Sequence, residues 1–138
     1  MPTVLLVEDD INLREIYGAR ITAEGYKVVV ASDGEEALAI AVREKPSLVV
    51  LDIMMPKISG FDVLDILRST PETKNTKVIM LTALSQNIDR QKGEQLGVDR
   101  YLVKSQVTLE DVMNAVKELL AQAAAAQAPQ ETPPPKNL

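Results

Sequence analysis

Five short aliphatic runs alternate with longer stretches of helical periodicity through the first 120 residues. The runs are Thr3–Val7, Lys27–Ala31, Leu48–Leu51, Lys77–Leu81 and Arg100–Val103. A strand followed by a helix, repeated in this way, is typical of a parallel sheet that helices cover on both faces. The alternation therefore predicts an α/β fold with five strands and five helices.

The composition of the runs predicts the order of the strands. The segments 4–7, 48–51 and 78–81 are apolar throughout, as expected of central strands that are buried on both faces. The other two runs begin with a basic residue, so we expect them at the edges. These positions give the order 2-1-3-4-5 of the flavodoxin-like doubly wound sheet. In such sheets a ligand binds beyond the carboxyl ends of the strands, where strands one and three meet.

Helical periodicity is clearest in the first and last helices. The first is expected to end at Gly25 and to bury Leu13, Ile16, Tyr17 and Ile21. The last is expected to bury one face made of Leu109, Val112, Met113, Val116, Leu119 and Leu120.

Two pairs of residues resemble helix-capping boxes, namely Thr108 with Asp111 and Ser59 with Asp62. The helix expected near 86–96 has few apolar anchors and an internal Gly93. We therefore expect this helix to be the least protected one.

The C-terminal segment differs from the rest of the chain. Its alanines extend the last helix to about residue 126, after which Pro129 and the prolines at 133–135 exclude a helix. We expect a single domain over residues 1–121 and an Ala/Pro-rich disordered tail or linker over 122–138. Whether that tail once led to an output domain is left open.

Composition excludes several classes of function. The chain has no cysteine and no histidine, so thiolate metal sites, histidine-ligated metals and phosphohistidine donors are excluded. A net charge of −5 and 3% aromatic residues make direct nucleic-acid binding a poor expectation. No apolar run is long enough to span a membrane and no signal peptide is evident, so we expect no membrane partner and a cytoplasmic location.

Charged and polar side chains follow four of the predicted strands. Glu8, Asp9 and Asp10 follow the first strand and Asp52 follows the third, while Thr82 and Lys104 close the fourth and fifth. Carboxylates gathered at one edge repel one another and raise each other's pKa. A divalent cation relieves this repulsion, and Mg²⁺ is the cation that best combines carboxylates, waters and phosphate oxygens. Each residue taken alone also has a simpler structural interpretation, since Asp10 and Thr82 could be helix caps and Lys104 a solvated strand end.

Cofactor sites of related folds are disfavoured by the same residues. An FMN phosphate needs an anion-binding loop after the first strand, where this chain has three acidic residues. No P-loop or dinucleotide fingerprint is present.

Four segments together resemble the receiver domain of two-component response regulators, in its CheY-like single-domain form. They read VLLVEDD at 4–10, LDIMMPKISG at 51–60, LTA at 81–83 and YLVK at 101–104. The resemblance covers about residues 2–121. It implies a phosphorylation-controlled signalling switch that takes a phosphoryl group from a sensor histidine kinase or a phosphotransfer protein.

The resemblance also implies roles for particular residues. Asp52 is similar to the phosphoacceptor and also belongs to the implied Mg²⁺ ligands, among which Asp9 is similar to the direct ligand. Glu8 would act through a metal-bound water, and the backbone carbonyl of Met54 would complete the protein's ligands, with Mn²⁺ as a possible substitute. Lys104 resembles the lysine that pairs first with Asp52 and then with the phosphoryl oxygens.

Two further residues resemble the switch pair of the family. Thr82 would bond the phosphoryl group, and Tyr101 would turn inward when the threonine moves. The output face would be formed by the fourth helix, the fifth strand and the fifth helix, and it would contact a downstream protein target.

Two other functions stay open at this point. One is a constitutive protein-docking module, which the intact acidic and basic residues disfavour. The other is a metal-dependent phosphatase with an Asp nucleophile. Such enzymes usually carry a second Asp two positions after the nucleophile, where this chain has Met54. We therefore expect a receiver and not a turnover enzyme.

Three positions depart from what is common in the family. Ser105 replaces the proline that usually follows the lysine, often through a cis peptide bond, so the path of that loop is left open. Met54 and Leu84 stand where some members carry polar residues that orient a hydrolytic water. We therefore expect a long-lived phosphorylated state.

Overall fold

The computed structural model describes residues 2–127, which form five strands and five helices in strict alternation. Their bounds are β1 (Thr3–Val7), α1 (Ile11–Ala23), β2 (Lys27–Ala31), α2 (Gly34–Glu44), β3 (Leu48–Leu51), α3 (Gly60–Ser69), β4 (Lys77–Thr82), α4 (Asn87–Gln95), β5 (Arg100–Val103) and α5 (Leu109–Gln127).

All strand pairs are parallel, and the order is β2-β1-β3-β4-β5. The predicted fold class, strand order and edge strands are therefore confirmed. The register places Val7 level with Leu51, and Leu51 level with Met80. Because the central strands end together, the residues that follow them are brought to one edge of the sheet.

Alternate residues of each strand contribute to two separate cores. On one face, Leu5, Val49 and Met80 pack with side chains of α2 and α3. On the other face, Leu6 and Val50 belong to a cluster with side chains of α1 and α5. The central strands are buried on both faces, which fixes the height and orientation of their carboxyl ends.

Side-chain caps start three of the helices where the sequence predicts them. Asp10 accepts hydrogen bonds from the N–H groups of Asn12 and Leu13, so this acidic residue is a helix cap. The Thr108 backbone N–H donates to Asp111 Oδ2, and the Asp111 N–H donates back to Thr108 Oγ1. Ser59 likewise caps α3.

Helix α1 buries less than the sequence predicts. Ile21 is fully buried and Leu13 and Tyr17 are half-buried, but Ile16 is 52% exposed. The prediction for Ile16 is wrong because Leu13, Tyr17 and Ile21 follow one another at intervals of four residues and set the buried stripe. Ile16 lies on the flank of that stripe and faces outward. Gly25, with a φ of +96°, follows the end of the helix as predicted.

Helix α5 continues through the alanines to Gln127, in agreement with the expected extension. The expected domain boundary at residue 121 therefore falls inside this helix. The proline-rich remainder of the predicted tail, residues 128–138, lies outside the described residues. Within the described part of the chain, no helix combines the length and apolar character needed to cross a membrane.

Candidate functional site

The site is built from the residues that directly follow β1, β3 and β5. The Asp52 N–H donates to the Val7 carbonyl (3.2 Å), and the Glu8 N–H donates to the Ala31 carbonyl (3.1 Å). These bonds extend the sheet by one residue and fix Glu8 and Asp52 side by side. The Lys104 N–H donates to the Thr82 carbonyl (2.8 Å), which fixes the lysine at the same edge.

A lysine ammonium joins the two buried carboxylates. Lys104 Nζ lies 2.7 Å from Glu8 Oε1 and 2.9 Å from Asp52 Oδ2. Glu8 is 3% and Asp52 7% exposed, whereas Asp9 is exposed at the mouth of the site. One ammonium cannot neutralise three carboxylates, so the cluster has room for further positive charge.

Burial sets the protonation behaviour of the pair. The pKa of Glu8 is raised to about 7, chiefly by desolvation; nearby Asp52 also raises it, while the hydrogen bond from Lys104 lowers it. Burial alone would lower the pKa of Lys104, but its hydrogen bonds to Glu8 and Asp52 outweigh this effect and leave that pKa raised. The lysine therefore stays charged, and Glu8 takes up a proton near neutral pH.

The donor atoms fit a hard divalent cation. One carboxylate oxygen from each of Glu8, Asp9 and Asp52 lies within 4.8 Å of the others. Glu8 Oε2 is buried and has no hydrogen-bond partner among residues 2–127. A buried carboxylate oxygen without a partner is costly, and a metal-bound water or a cation would satisfy it. All the donors are oxygen atoms, which is the ligand set of Mg²⁺.

The loop after β3 contributes a backbone donor to the cluster. The Met54 N–H donates to Asp52 Oδ1 (3.2 Å), while Lys104 bonds the other oxygen of the same carboxylate. The Met54 side chain is 58% exposed. Both oxygens of Asp52 are thus oriented, one by the loop and one by the lysine.

Thr82 and Tyr101 meet at the backbone of Leu84. Thr82 is fully buried, and its Oγ1 accepts a hydrogen bond from the Leu84 N–H (3.3 Å). The Tyr101 hydroxyl donates to the Leu84 carbonyl (2.9 Å), and the side chain is only 6% exposed. The aromatic ring therefore lies inward in this structure.

Three residues at the site were not identified from the sequence. Arg14 Nη1 donates to the Glu8 carbonyl (3.0 Å). The Arg90 guanidinium lies 5.0 Å from the centroid of the Tyr101 ring and donates to the Tyr101 carbonyl (3.3 Å). Tyr17, predicted only as a core residue, lines a cavity of about 10 Å³ behind the carboxylates. Only Tyr17 carried a signal, as a polar-tipped ring on the buried stripe of α1.

The loop after Lys104 follows an ordinary backbone path. Residues 2–127 contain no cis peptide bond, so the bond between Lys104 and Ser105 is trans. The Gln106 N–H donates to the Val103 carbonyl (2.9 Å) and closes the turn. Serine in place of proline therefore leaves Lys104 in contact with both carboxylates.

Comparisons with known proteins all indicate the same family. The family described as "Response regulator receiver domain" matches residues 4–117. The probable transcriptional regulator ycf27 of Porphyridium aerugineum is 48% identical over 101 residues, which are 73% of this chain and 41% of the relative. The DNA-binding dual master transcriptional regulator RpaA of Synechocystis is 38% identical over 120 residues, which are 87% of this chain and 49% of the relative.

A solved structure that is similar to this chain is also that of a response regulator. The response regulator protein TrrA of Thermotoga maritima, in complex with Mg²⁺ and BeF, has a TM-score of 0.76 and 35% identity, over 86% of this chain and 99% of that chain. This chain spans less than half the length of the two regulators named above. It belongs to the response regulator receiver family.

Proposed function

We propose that the protein switches its signalling state when Asp52 accepts a phosphoryl group from a histidine kinase or a histidine phosphotransfer protein. The carrying observation is that Lys104 holds Asp52 beside Glu8, with one oxygen of Glu8 buried and unpartnered. This arrangement supports the proposal, because it suits a carboxylate nucleophile beside a site for a cation. The chain has no histidine, so it would act as the recipient in such a transfer.

Mg²⁺ would be held by Asp9, Asp52 and the Met54 carbonyl, with Glu8 acting through a water; Mn²⁺ is proposed as a substitute. When bound, the cation supplies positive charge to the phosphoryl oxygens. An Asp52 oxygen attacks phosphorus as the bond to the donor's imidazole nitrogen breaks, and that nitrogen keeps the electron pair. Lys104 releases Asp52 and pairs with an oxygen of the transferred group.

Thr82 and Tyr101 would transmit the effect of phosphorylation from Asp52 to the protein surface. The hydroxyl of Thr82 would leave the Leu84 N–H and donate to the phosphoryl group. Because Leu84 also accepts the hydrogen bond of Tyr101, a change at Thr82 reaches the aromatic ring through one residue. The ring underlies α4, so the face formed by α4, β5 and α5 would change and select a downstream protein.

The location and partners belong to the same proposal. A cytoplasmic location fits the absence of a membrane-spanning helix from the described residues. Direct contact of this part of the chain with nucleic acid is not proposed, because the described residues supply an acidic site and DNA binding is stated for a relative of about twice this length.

One experiment distinguishes a receiver from a phosphatase and from a docking module. The protein is incubated with acetyl phosphate and Mg²⁺, and its intact mass and the inorganic phosphate released are followed together. A stoichiometric adduct with slow release supports the receiver. Repeated release of phosphate would instead identify a phosphatase. If neither an adduct nor phosphate release is detected, the result would favour a constitutive docking module. A parallel incubation with EDTA tests the need for the cation.

A further inference from the structure

The loop that follows Asp52 makes a sharp turn at Lys57. This residue has a φ of +72°, and the Ile58 N–H donates to the Pro56 carbonyl (2.9 Å). A three-residue turn with a positive φ at its centre is a strained γ-turn, and such a conformation persists only when its surroundings hold it. The residues that contact Lys57 and Ile58 must therefore hold the turn in place.

Gly34, the first residue of α2, lies against the backbone of this turn. A Cβ atom at Gly34 would stand 2.8 Å from the Ile58 carbonyl oxygen, 2.9 Å from Ile58 Cβ and 3.0 Å from Val63 Cγ2. The first contact is with backbone, which cannot rotate away as the end of a side chain can. Any side chain at position 34 would therefore displace the turn.

The residues on either side of Gly34 hold the turn by charge. Lys57 Nζ lies 3.5 Å from Asp33 Oδ2 and 3.6 Å from Glu35 Oε2. The charges of these two carboxylates raise the pKa of Lys57, that of Asp33 contributing most. Asp33 is itself fixed, because its Oδ1 accepts the Glu36 N–H (2.9 Å) and caps α2. The β2–α2 turn, residues 33–35, thus contacts the γ-turn sterically and electrostatically.

The other end of the loop leads back to the nucleophile. The Gly60 N–H donates to the Ile53 carbonyl (2.8 Å), and the Met54 N–H donates to Asp52 Oδ1 (3.2 Å). The segment between Asp52 and Gly60 is therefore a closed loop with little slack. A displacement at Ile58 would therefore move the Met54 N–H that donates to Asp52 Oδ1.

We infer that Gly34 and Lys57 are positioning residues that hold the loop of residues 52–60 so that Met54 and Asp52 meet the cation and the phosphoryl group correctly. The inference rests on the proposed function. If the wild-type protein forms no adduct, the proposed function fails; if it does and the variants below match it, only the inference fails.

The first test compares two glycine substitutions in the full chain. In Gly34→Ala the new Cβ meets backbone, whereas in Gly18→Ala it meets only Leu6 Cδ2 at 3.8 Å, an ordinary contact. With acetyl phosphate and Mg²⁺, Gly34→Ala should phosphorylate roughly threefold to tenfold more slowly, since small misplacements of reacting groups cost large factors in rate. Its Mg²⁺ affinity should fall as well. Gly18→Ala should match wild type in both measurements.

The second test uses the ion pairs and does not depend on whether Gly34→Ala folds. Lys57→Met keeps the apolar stem but removes the charge, and Asp33→Asn keeps an oxygen for the helix cap. Each should slow phosphorylation about twofold at low salt, the size expected of exposed ion pairs, and the double variant should be no slower than Lys57→Met. The wild-type advantage should shrink at high salt.

Both tests are run well below the thermal midpoint of each variant, so that loss of fold does not enter the rates. Amide chemical shifts should then change between residues 52 and 60 in the Gly34 variant. The inference is overturned if Lys57→Met, together with Gly34→Ala where it folds, leaves phosphorylation rate and Mg²⁺ affinity at wild-type values.

Discussion

The ammonium nitrogen of Lys104 lies 2.9 Å from Asp52 Oδ2 and 2.7 Å from Glu8 Oε1, so one cation holds two buried carboxylates together. Removing one partner of a buried ion pair is costly because it leaves the other charge uncompensated. The lysine therefore has a structural part in the protein, and under the proposed function it would also pair with the phosphoryl oxygens.

Stability without a metal ion should depend on the charge of Glu8. Its pKa in the folded protein is about 7, raised from 4.5 chiefly by burial. The folded state therefore binds the proton more tightly than the unfolded state, and the resulting stabilisation, complete below about pH 4.5, is lost as the pH rises through about 7. In EDTA, the free energy of unfolding of the wild-type protein should fall between about pH 5 and about pH 8 by roughly 2–3 kcal/mol more than that of Glu8→Gln does.

Urea denaturation of both proteins at the two pH values measures this difference. Parallel pH profiles for wild type and Glu8→Gln would show that Glu8 does not titrate as its burial predicts.

Mg²⁺ should stabilise the folded protein through Asp9. A ligand that binds only the folded state adds about 1.4 to 2.7 kcal/mol at tenfold to a hundredfold excess over its dissociation constant. Asp9→Ala should lose most of this gain, because Asp9 is the exposed member of the carboxylate cluster. Asp10→Asn removes a neighbouring charge but keeps the helix cap, so it should retain the gain. Thermal unfolding with and without Mg²⁺ decides, and equal gains for Asp9→Ala and wild type would place the site elsewhere.

Helix α4 should be the least protected helix. Its first turn has no side-chain cap, and Ile88 is 70% exposed. In contrast, α5 buries an apolar face and begins with the reciprocal cap of Thr108 and Asp111. Few buried contacts favour local opening, so amide exchange should be faster in 87–95 than in 109–120. Slower exchange in α4 would contradict this expectation.

The phosphorylated state should be long-lived because of Met54. Its exposed side chain lies two positions after Asp52 and cannot orient an attacking water by strong hydrogen bonds. Met54→Asn should speed dephosphorylation in Mg²⁺, with a further increase on adding Leu84→Glu, while Met54→Leu should leave the rate unchanged. Leu84 is half-buried against the core, so the single substitution is the cleaner test. The decay of the phosphoprotein mass measures the rate, and unchanged or slower decay in both the single and the double variant would show that water access here does not set it.

The sequence predicted the sheet and the positions of the site residues because both follow from periodicity. Strands that are apolar throughout had to be central, so Glu8 and Asp52, as the next residues, had to lie side by side. The exposure of Ile16 was not predictable in this way, because it depends on how α1 is rotated against the sheet.

Contacts between elements that are distant in the sequence could not be predicted from periodicity either. Gly93 weakened the prediction of α4, but in the structure it lets the helix approach Met80 and Tyr101, where a Cβ would lie 3.2 Å from each side chain. The contact of Gly34 with Ile58 joins the first residue of α2 to the loop between β3 and α3. Nothing in local spacing indicates such contacts, since they depend on the packing of α2 and α3 against the sheet.

The most direct test of the central claim is to locate the phosphoryl group. After incubation with acetyl phosphate and Mg²⁺, borohydride reduces an aspartyl-phosphate to homoserine, and peptide mass mapping identifies the converted residue. We expect homoserine at position 52 alone and no adduct in Asp52→Asn. Conversion at another residue, or an undiminished adduct in Asp52→Asn, would contradict it.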